Sequence, residues 1–169
     1  MTDEPSVGTL LTLWSVRLAC ALYVLALASW LLGRGRLARA EWTLGLFLYT
    51  VHMLAAFSVY HHWSHQEAYM DTARQTAEIF YIDWGGGIYF NYLFSAVWLA
   101  DVAWMWLNEA AYNRRPRWIG ITIHSFLAFM FFNATIVFAA GWTRRFGLAA
   151  CLALLLLWRY RARAIACKR

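Results

Sequence analysis

Charged residues are scarce in this 169-residue chain: they make up 14% of it, against 62% for hydrophobic residues. A soluble domain carries about 25% charged residues, so this composition does not supply a water-exposed surface. Prolines number only two, and the 18% of aromatic residues is far above what disordered chains contain. These shortages predict a folded protein whose apolar surface is covered by lipid.

Cysteine is also rare. Cys20, Cys151 and Cys167 lie far apart and form no Cys-x-x-Cys pair, which argues against a disulfide framework or a thiolate metal site. The two that lie within apolar runs are expected to pack as small hydrophobic side chains. The chain starts with the acidic residues Asp3 and Glu4, unlike a secretory signal. The first apolar run is therefore predicted to stay in the mature protein as a membrane anchor.

Five apolar runs follow one another along the chain. The predicted spans are about 7–33, 42–63, 84–107, 118–141 and 146–160, and the first four have the roughly 20 residues that a bilayer crossing requires. Arginines that snorkel to the surface can lengthen the fifth. The segment at about 66–80 has apolar residues at helical spacing and predicts an amphipathic surface helix. The predicted fold is an all-α bundle of five transmembrane helices in a single membrane domain, residues 1–169.

The distribution of positive charge predicts the orientation of the bundle. Lys and Arg number none before the first span and then three, one, three, two and five after the successive spans. By the positive-inside rule the N-terminus lies outside and the C-terminus inside the cytoplasmic membrane. The net charge of +6 follows this pattern, so nucleic acid is not an expected partner. The expected partners are the lipid bilayer and other membrane proteins or further copies of the chain.

Three of the five histidines cluster in the sequence YHHWSH, residues 60–65, at the end of the second run. If the helix continues through the cluster, its first and last histidines lie one turn apart on one face. A carboxylate from the next segment can then complete a site for zinc, copper or iron. The predicted ligands are His61, His62, His65, Glu67 and Asp71. The alternative is that these histidines bond only to head groups, water or the following segment, or respond to pH.

The His-His-x-x-His pattern resembles, in reverse, a histidine box of the membrane desaturases and hydroxylases, whose di-iron sites use several such boxes. Five histidines in the whole chain are too few for that family, which is therefore excluded. The His-Glu-x-x-His pattern of zinc proteases is absent as well.

The remaining histidines, His52 and His124, lie within predicted spans, at depths that differ by about 6 Å for a rise of 1.5 Å per residue. Each shares its helix face with small residues, which mark contacts between membrane helices. If the two imidazoles face each other, they predict a b-type haem with Arg17 near a propionate. The alternative is that each histidine hydrogen-bonds to a neighbouring helix.

Two further polar residues continue a stripe along the third span. Asn91 and Ser95 follow Gly87 at four-residue spacing, which predicts a packing seam against another helix. The run Gly85–Gly87 lacks the rest of a phosphate-binding loop. It predicts a close approach of helices where the span begins.

Asp101 and Asn133 are also expected inside the membrane, where an ionisable group is by default a candidate for function. Asp101 is predicted either to pair with the arginines at the inner end or to form a proton or substrate path with Arg17. Asn133 lies halfway around the helix from His124. It is therefore predicted to face another neighbour or a second subunit.

Three hypotheses about function follow from these patterns. The leading one is a small integral subunit of the cytoplasmic membrane that binds a metal at the outer histidines or a haem in the bundle, in a redox or metal-handling process. The alternative is a structural or assembly protein without a cofactor. The second alternative is a small transporter or proton path. In each case a multi-pass location in the cell membrane is predicted, and the sequence leaves open whether the protein is an enzyme.

Overall fold

The computed structural model describes the backbone of residues 6–166 and the side chains of residues 6–164, so Asp3, Glu4 and Cys167 lie outside the described residues. This part of the chain contains seven α-helices and no strand, which confirms the all-α prediction. The helices are α1 Val7–Leu31, α2 Gly35–Val59, α3 His65–Phe80, α4 Gly87–Leu107, α5 Glu109–Arg114, α6 Arg117–Phe132 and α7 Gly141–Ala166. A π-helical segment, Asn133–Val137, continues α6.

Within residues 6–166, three helices are long and apolar enough to cross a membrane: α1, α2, and α6 together with its π-helical segment. Their 21 to 25 residues correspond to roughly 32–38 Å at 1.5 Å per residue, which exceeds the bilayer hydrocarbon core of about 30 Å. These lengths and compositions support membrane association. The helices α4 and α7 have 21 and 26 residues, but polar and amphipathic side chains interrupt their apolar sequences.

The helix bounds differ from the predicted spans where local signals outweigh hydropathy. α7 extends beyond the apolar run 146–160 at both ends, because its flanking arginines continue the helix. α2 begins at Gly35, before the predicted start at residue 42, and ends at Val59. The surface helix predicted at about 66–80 is present as α3.

α2 ends before the histidine cluster because the backbone turns there. His62 and Trp63 adopt left-handed conformations, with φ of 46° and 60°, and an α-helix does not continue through such residues. Ser64 then caps α3, since its hydroxyl accepts a hydrogen bond from the Glu67 backbone N–H at 3.2 Å. Ser-x-x-Glu is the sequence signature of this helix start. The prediction that the first and last histidines of the cluster share one continuous helix is therefore wrong.

The core lies where α1, α2, α4 and α6 meet, and aromatic rings dominate it. Tyr23 stacks on Phe131 with 4.8 Å between ring centres. Trp42 is fully buried, and the centre of its ring lies 5.0 Å from that of Trp98. Gly45 permits this approach, because a Cβ there would come within 3.1 Å of the Trp98 ring. Rings packed in tilted and stacked pairs bury large apolar areas, so this aromatic layer separates the two ends of the bundle.

α2 and α4 run antiparallel across this core. Near the start of α2 the Arg39 guanidinium donates to the Met105 carbonyl at 3.0 Å, whereas further along the Tyr49 hydroxyl lies 3.4 Å from that of Ser95. We call the end of the bundle that holds the α1–α2 turn and α5 the arginine end, since it carries Arg34, Arg36, Arg39, Arg114, Arg115 and Arg117. We call the opposite end, which holds residues 60–65 and α3, the histidine end.

Two glycines let α4 begin directly against α3. A Cβ at Gly85 would collide with the carbonyl oxygen and the ring of Tyr69, and one at Gly87 would lie 2.9 Å from Thr72 Cγ2. The larger side chains of α3 therefore fit only because these positions have none. The predicted role of the glycine run in close helix approach is confirmed.

We expect Gly85→Ala to destabilise the protein, because the added methyl group would overlap the Tyr69 backbone. Overpacking of this kind costs about 1–3 kcal/mol. It should lower the Tm measured in detergent micelles by roughly 2–4 °C per kcal/mol. Gly35→Ala is the matched control, since nothing lies within 4 Å of the position that its Cβ would take. Equal Tm values for the two variants would contradict the tight contact between α3 and α4.

Candidate functional site

Asp101 of α4 is only 1% exposed, and a buried carboxylate is costly unless it is paired and hydrogen-bonded. Its Oδ1 accepts a hydrogen bond from Arg115 Nη1 at 2.8 Å. Its Oδ2 accepts from Trp42 Nε1 at 3.0 Å and from the Tyr112 hydroxyl at 3.2 Å. The predicted pairing of Asp101 with an arginine is confirmed. Trp42 and Tyr112 are partners that the sequence did not identify, because no local pattern links them to Asp101.

α5 brings two of these partners back over the end of α4. Asn108 caps this short helix, since its Oδ1 accepts a hydrogen bond from the Ala111 backbone N–H at 2.9 Å. The guanidinium carbon of Arg115 lies 3.7 Å from the centre of the Tyr112 ring, a geometry in which a cation is attracted to the ring face. Asp101 is therefore bonded to α2, to α5 and to the connection that leads into α6.

A cavity of about 670 Å³ lies beside this ion pair, between α1, α5, α6 and α7. Its apolar lining consists of Leu27, Trp30, Leu31, Leu154, Leu155 and Trp158. Tyr112, Arg115 and His124 are its polar lining residues. We call it the arginine-end cavity. Apolar walls with a few convergent polar groups are typical of ligand-binding sites of this size.

His124 belongs to this cavity, where its ring lies 5.2 Å from Trp30 and 5.3 Å from Trp42. Its Nδ1 is buried and has no hydrogen-bond partner among residues 6–164. Buried polar atoms in native structures nearly always have a partner, which is often a water or a ligand. This nitrogen is itself shielded from the cavity, so His124 contributes its ring to the lining and leaves one buried polar atom without a partner among those residues.

His52 lies beyond the aromatic layer, where its Nδ1 donates to the Thr12 carbonyl oxygen at 2.9 Å. Trp42, which contacts His124, precedes His52 by ten residues on α2, a rise of about 15 Å. The two histidines line different cavities. The prediction that they face each other is therefore wrong, and a haem held between them stays a hypothesis from the sequence.

Arg17 lies on an exposed face of α1, with its guanidinium carbon 5.2 Å from the centre of the Trp14 ring. Asp101 already pairs with Arg115, so the structure does not bring Arg17 and Asp101 together. Nor does Arg17 point into the bundle, where a propionate would need it. Its guanidinium instead lies over the Trp14 indole, where a cation is attracted to the ring.

Asn133 opens the π-helical segment and is half-buried. Its amide nitrogen donates to the Phe129 carbonyl at 2.8 Å, one turn earlier in the same helix. Its own carbonyl accepts from the Phe138 backbone N–H at 2.9 Å. The side chain is thus hydrogen-bonded within its helix. The predicted contact with a second subunit stays a prediction.

The clustered histidines have separate partners. His62 Nδ1 lies 3.0 Å from the Glu67 carboxylate. Glu67, another of the predicted metal ligands, thus contacts His62 in the first turn of α3. His65 Nδ1 lies 2.9 Å from the Tyr92 hydroxyl of α4. Both histidines are exposed. The contact of His62 matches the alternative in which these histidines bond to the segment that follows them, whereas His65 bonds to α4.

His61 turns instead toward Phe57, with 5.4 Å between ring centres, and lines a second cavity together with Asp71. The Asp71 carboxylate pairs with Arg74 and accepts a hydrogen bond from Gln75 Nε2 at 3.0 Å. Among the described residues, no three His, Cys, Asp or Glu side chains form a group that could hold a metal ion. The structure therefore joins two of the five predicted ligands at one cavity, and metal binding stays a prediction.

The predicted seam on α4 is present at Ser95 but not at Asn91. The Ser95 hydroxyl lies 2.9 Å from the Asn91 carbonyl and 3.4 Å from the Tyr49 hydroxyl of α2. Asn91 lines the same cavity as His61. The stripe thus packs against α2 at one position and faces a cavity at the other.

Comparison with known proteins identifies no relative: no family model, curated protein or solved structure matches this chain. Function therefore has to be inferred from the chemistry of the sites. The arginine-end cavity combines a buried ion pair, an imidazole ring and apolar walls. Together these features make it the strongest candidate site.

We expect Asp101→Asn to destabilise the protein by about 3–5 kcal/mol, because it leaves the Arg115 guanidinium buried without its counter-charge. The double variant Asp101→Asn with Arg115→Gln removes both charges and should cost less than the sum of the two single changes. Unfolding in denaturant, followed by tryptophan fluorescence, measures all four proteins. Additive single changes would show that the pair does not contribute as a unit.

Stability should also depend on the ionisation of Tyr112. Its burial, followed by the negative charge of Asp101, raises the pKa of Tyr112 from 10.0 to about 12. The folded state therefore favours the neutral phenol, and this contribution to stability is full below pH 10 and is lost as the pH rises toward 12. The Tm difference between the native protein and Tyr112→Phe should shrink over that range. A tyrosinate absorbance difference between the two that titrates at pH 10 would contradict the shift.

Proposed function

We propose that this chain is a multi-pass membrane protein that binds an anionic lipid at its arginine end. In this proposal α1, α2, α4, α6 with its π-helical segment, and α7 all cross the bilayer, and the arginine end faces the cytoplasm. The antiparallel packing of α2 and α4 supports the topology, and so does the concentration of arginines at one end, which the positive-inside rule assigns to the cytoplasmic side. α3 then lies along the opposite surface of the membrane.

The observation that carries the proposal is the make-up of the arginine-end cavity. Its walls are leucine and tryptophan side chains of α1 and α7, and its polar groups surround Asp101. An acyl chain would pack along the walls. The Arg115 guanidinium has five N–H groups and gives one from Nη1 to Asp101, so others can donate to a phosphate.

The charges around the cavity favour an anion over a neutral head group. Asp101 offsets the charge of Arg115, but further arginines follow the lining residues Leu31 and Trp158 in the sequence: Arg34 in the α1–α2 turn, and Arg159 and Arg161 on α7. Arg161 Nη2 lies 3.7 Å from where a Cβ at Gly33 would be, so it reaches the α1–α2 turn. Basic pockets of this kind, between membrane helices on the cytoplasmic side, bind anionic lipid head groups.

Asp101 and His124 have distinct roles in this proposal. Asp101 does not touch the lipid; it holds the Arg115 guanidinium in one orientation. His124 contributes its imidazole ring to the lining, next to Trp30. A redox or metal-handling role would need groups other than those at this cavity.

Leu154→Trp tests the site, because the larger ring would fill the cavity that Leu154 lines. We expect the native protein in nanodiscs to retain phosphatidylglycerol in preference to phosphatidylcholine, as measured by native mass spectrometry. The variant should bind phosphatidylglycerol about tenfold more weakly, equivalent to about 1.4 kcal/mol. Leu156→Trp is the matched control, since Leu156 is 58% exposed on the same helix and does not line the cavity.

Two results would overturn the proposal. If the native protein retained the two lipids equally, the proposed preference for an anionic head group would be wrong. If the Leu154→Trp and Leu156→Trp variants bound phosphatidylglycerol equally, the cavity would not be the binding site. A Tm measured for both variants separates loss of binding from loss of folding.

A further inference from the structure

The second cavity lies at the histidine end, between α1, α2, α3 and α4, and has a volume of about 270 Å³. The polar residues that line it include Thr12, His52, His61, Asp71, Gln75 and Asn91. They come from four helices and from the α2–α3 turn, and the aromatic layer separates them from the arginine-end cavity. Since one water occupies about 30 Å³ of liquid, a molecule of several non-hydrogen atoms fits this space.

The hydrogen bond of His52 determines which of its two ring nitrogens can accept a hydrogen bond from a ligand. Its Nδ1 lies 2.9 Å from the Thr12 carbonyl oxygen, which only accepts, so Nδ1 carries the hydrogen. In the neutral ring Nε2 then has the free lone pair. Nothing in the described part of the chain donates to it. His52 therefore presents an unused acceptor.

Further acceptors come from α3 and α4. Gln75 donates from its amide nitrogen to Asp71, which leaves Gln75 Oε1 as an acceptor. The Asp71 carboxylate carries a negative charge, which Arg74 only partly offsets because this arginine side chain is exposed and does not line the cavity. Asn91 contributes a side-chain amide whose oxygen accepts as well.

The described residues that line this cavity include aromatic rings and lack Lys and Arg. Phe57 and Tyr60 are among them. An anion would therefore find no counter-charge from these residues. A compact cation would find a carboxylate, several acceptor atoms and two aromatic side chains.

We propose that this histidine-end cavity binds a small primary amine in its ammonium form. The ammonium N–H groups donate to His52 Nε2, Gln75 Oε1 and Asn91 Oδ1, and Asp71 balances the charge. This site is independent of the lipid site at the other end, because it shares no lining residue with it. The ammonium group belongs either to a soluble amine or to the head group of an aminophospholipid.

Calorimetric titration of ethylammonium into the full chain in phosphatidylcholine nanodiscs tests the proposal. We expect saturable binding of ethylammonium and none of acetate. His52→Phe should weaken ethylammonium binding about tenfold, the effect of losing roughly 1.4 kcal/mol. His62→Phe is the matched control and should bind as the native protein does, because His62 is exposed and does not line the cavity.

Gln75→Met provides a second variant in case His52→Phe fails to fold, because it removes the acceptor from α3 without touching the contact between α1 and α2. Binding of acetate as tight as that of ethylammonium, or equal binding by the Gln75→Met and His62→Phe variants, would overturn the proposal. Repeating the titration in phosphatidylethanolamine nanodiscs identifies the source. Weaker ethylammonium binding there points to the lipid head group, and unchanged binding points to a soluble amine; both outcomes support recognition of the ammonium group.

Discussion

A carboxylate buried between helices needs partners, and the partners of Asp101 come from three separate parts of the chain. Trp42 of α2, Tyr112 of α5 and Arg115 before α6 each bond to it. Since removing one partner of a buried charge is far more costly than losing a surface contact, these bonds fix the relative placement of the elements. The Trp42 indole is thereby held in the core, and the Arg115 guanidinium is held beside the cavity that α1 and α7 complete.

The aromatic layer gives the protein two separate ends. Tyr23, Trp42, Trp98 and Phe131 fill the middle of the bundle, and polar groups gather on either side of it. The transport hypothesis used Arg17 and Asp101, but Arg17 lies on the exposed face of α1 and Asp101 pairs with Arg115. The two sites that we propose lie on opposite sides of the layer and share no lining residue.

The histidine cluster shows how a local turn changes the chemistry that a motif suggests. On one continuous helix, His61 and His65 would lie on the same face and could bind one metal ion. The left-handed residues His62 and Trp63 and the cap at Ser64 place them on different elements instead. His61 and Asp71, two of the predicted ligands, then line a cavity together with His52 and Asn91, which the sequence assigned to other groups. The start signal of α3 was visible in the sequence as Ser64 and Glu67, but the apolar run leading up to it favoured one longer helix.

The sequence by itself determined the features that depend on consecutive residues. Apolar runs and helical periodicity were enough for the all-α fold, the long apolar helices and the amphipathic α3, and the glycine run was enough for the close contact of α3 and α4. Tertiary structure decided which side chains meet. Successive side chains are about 100° apart around a helix axis, so the face on which each one lies can be calculated. When a helix is apolar on nearly all its faces, however, its sequence does not reveal which face packs inward. The separation of His52 from His124, the bond from Trp42 to Asp101 and the two cavities therefore follow only from the packed helices.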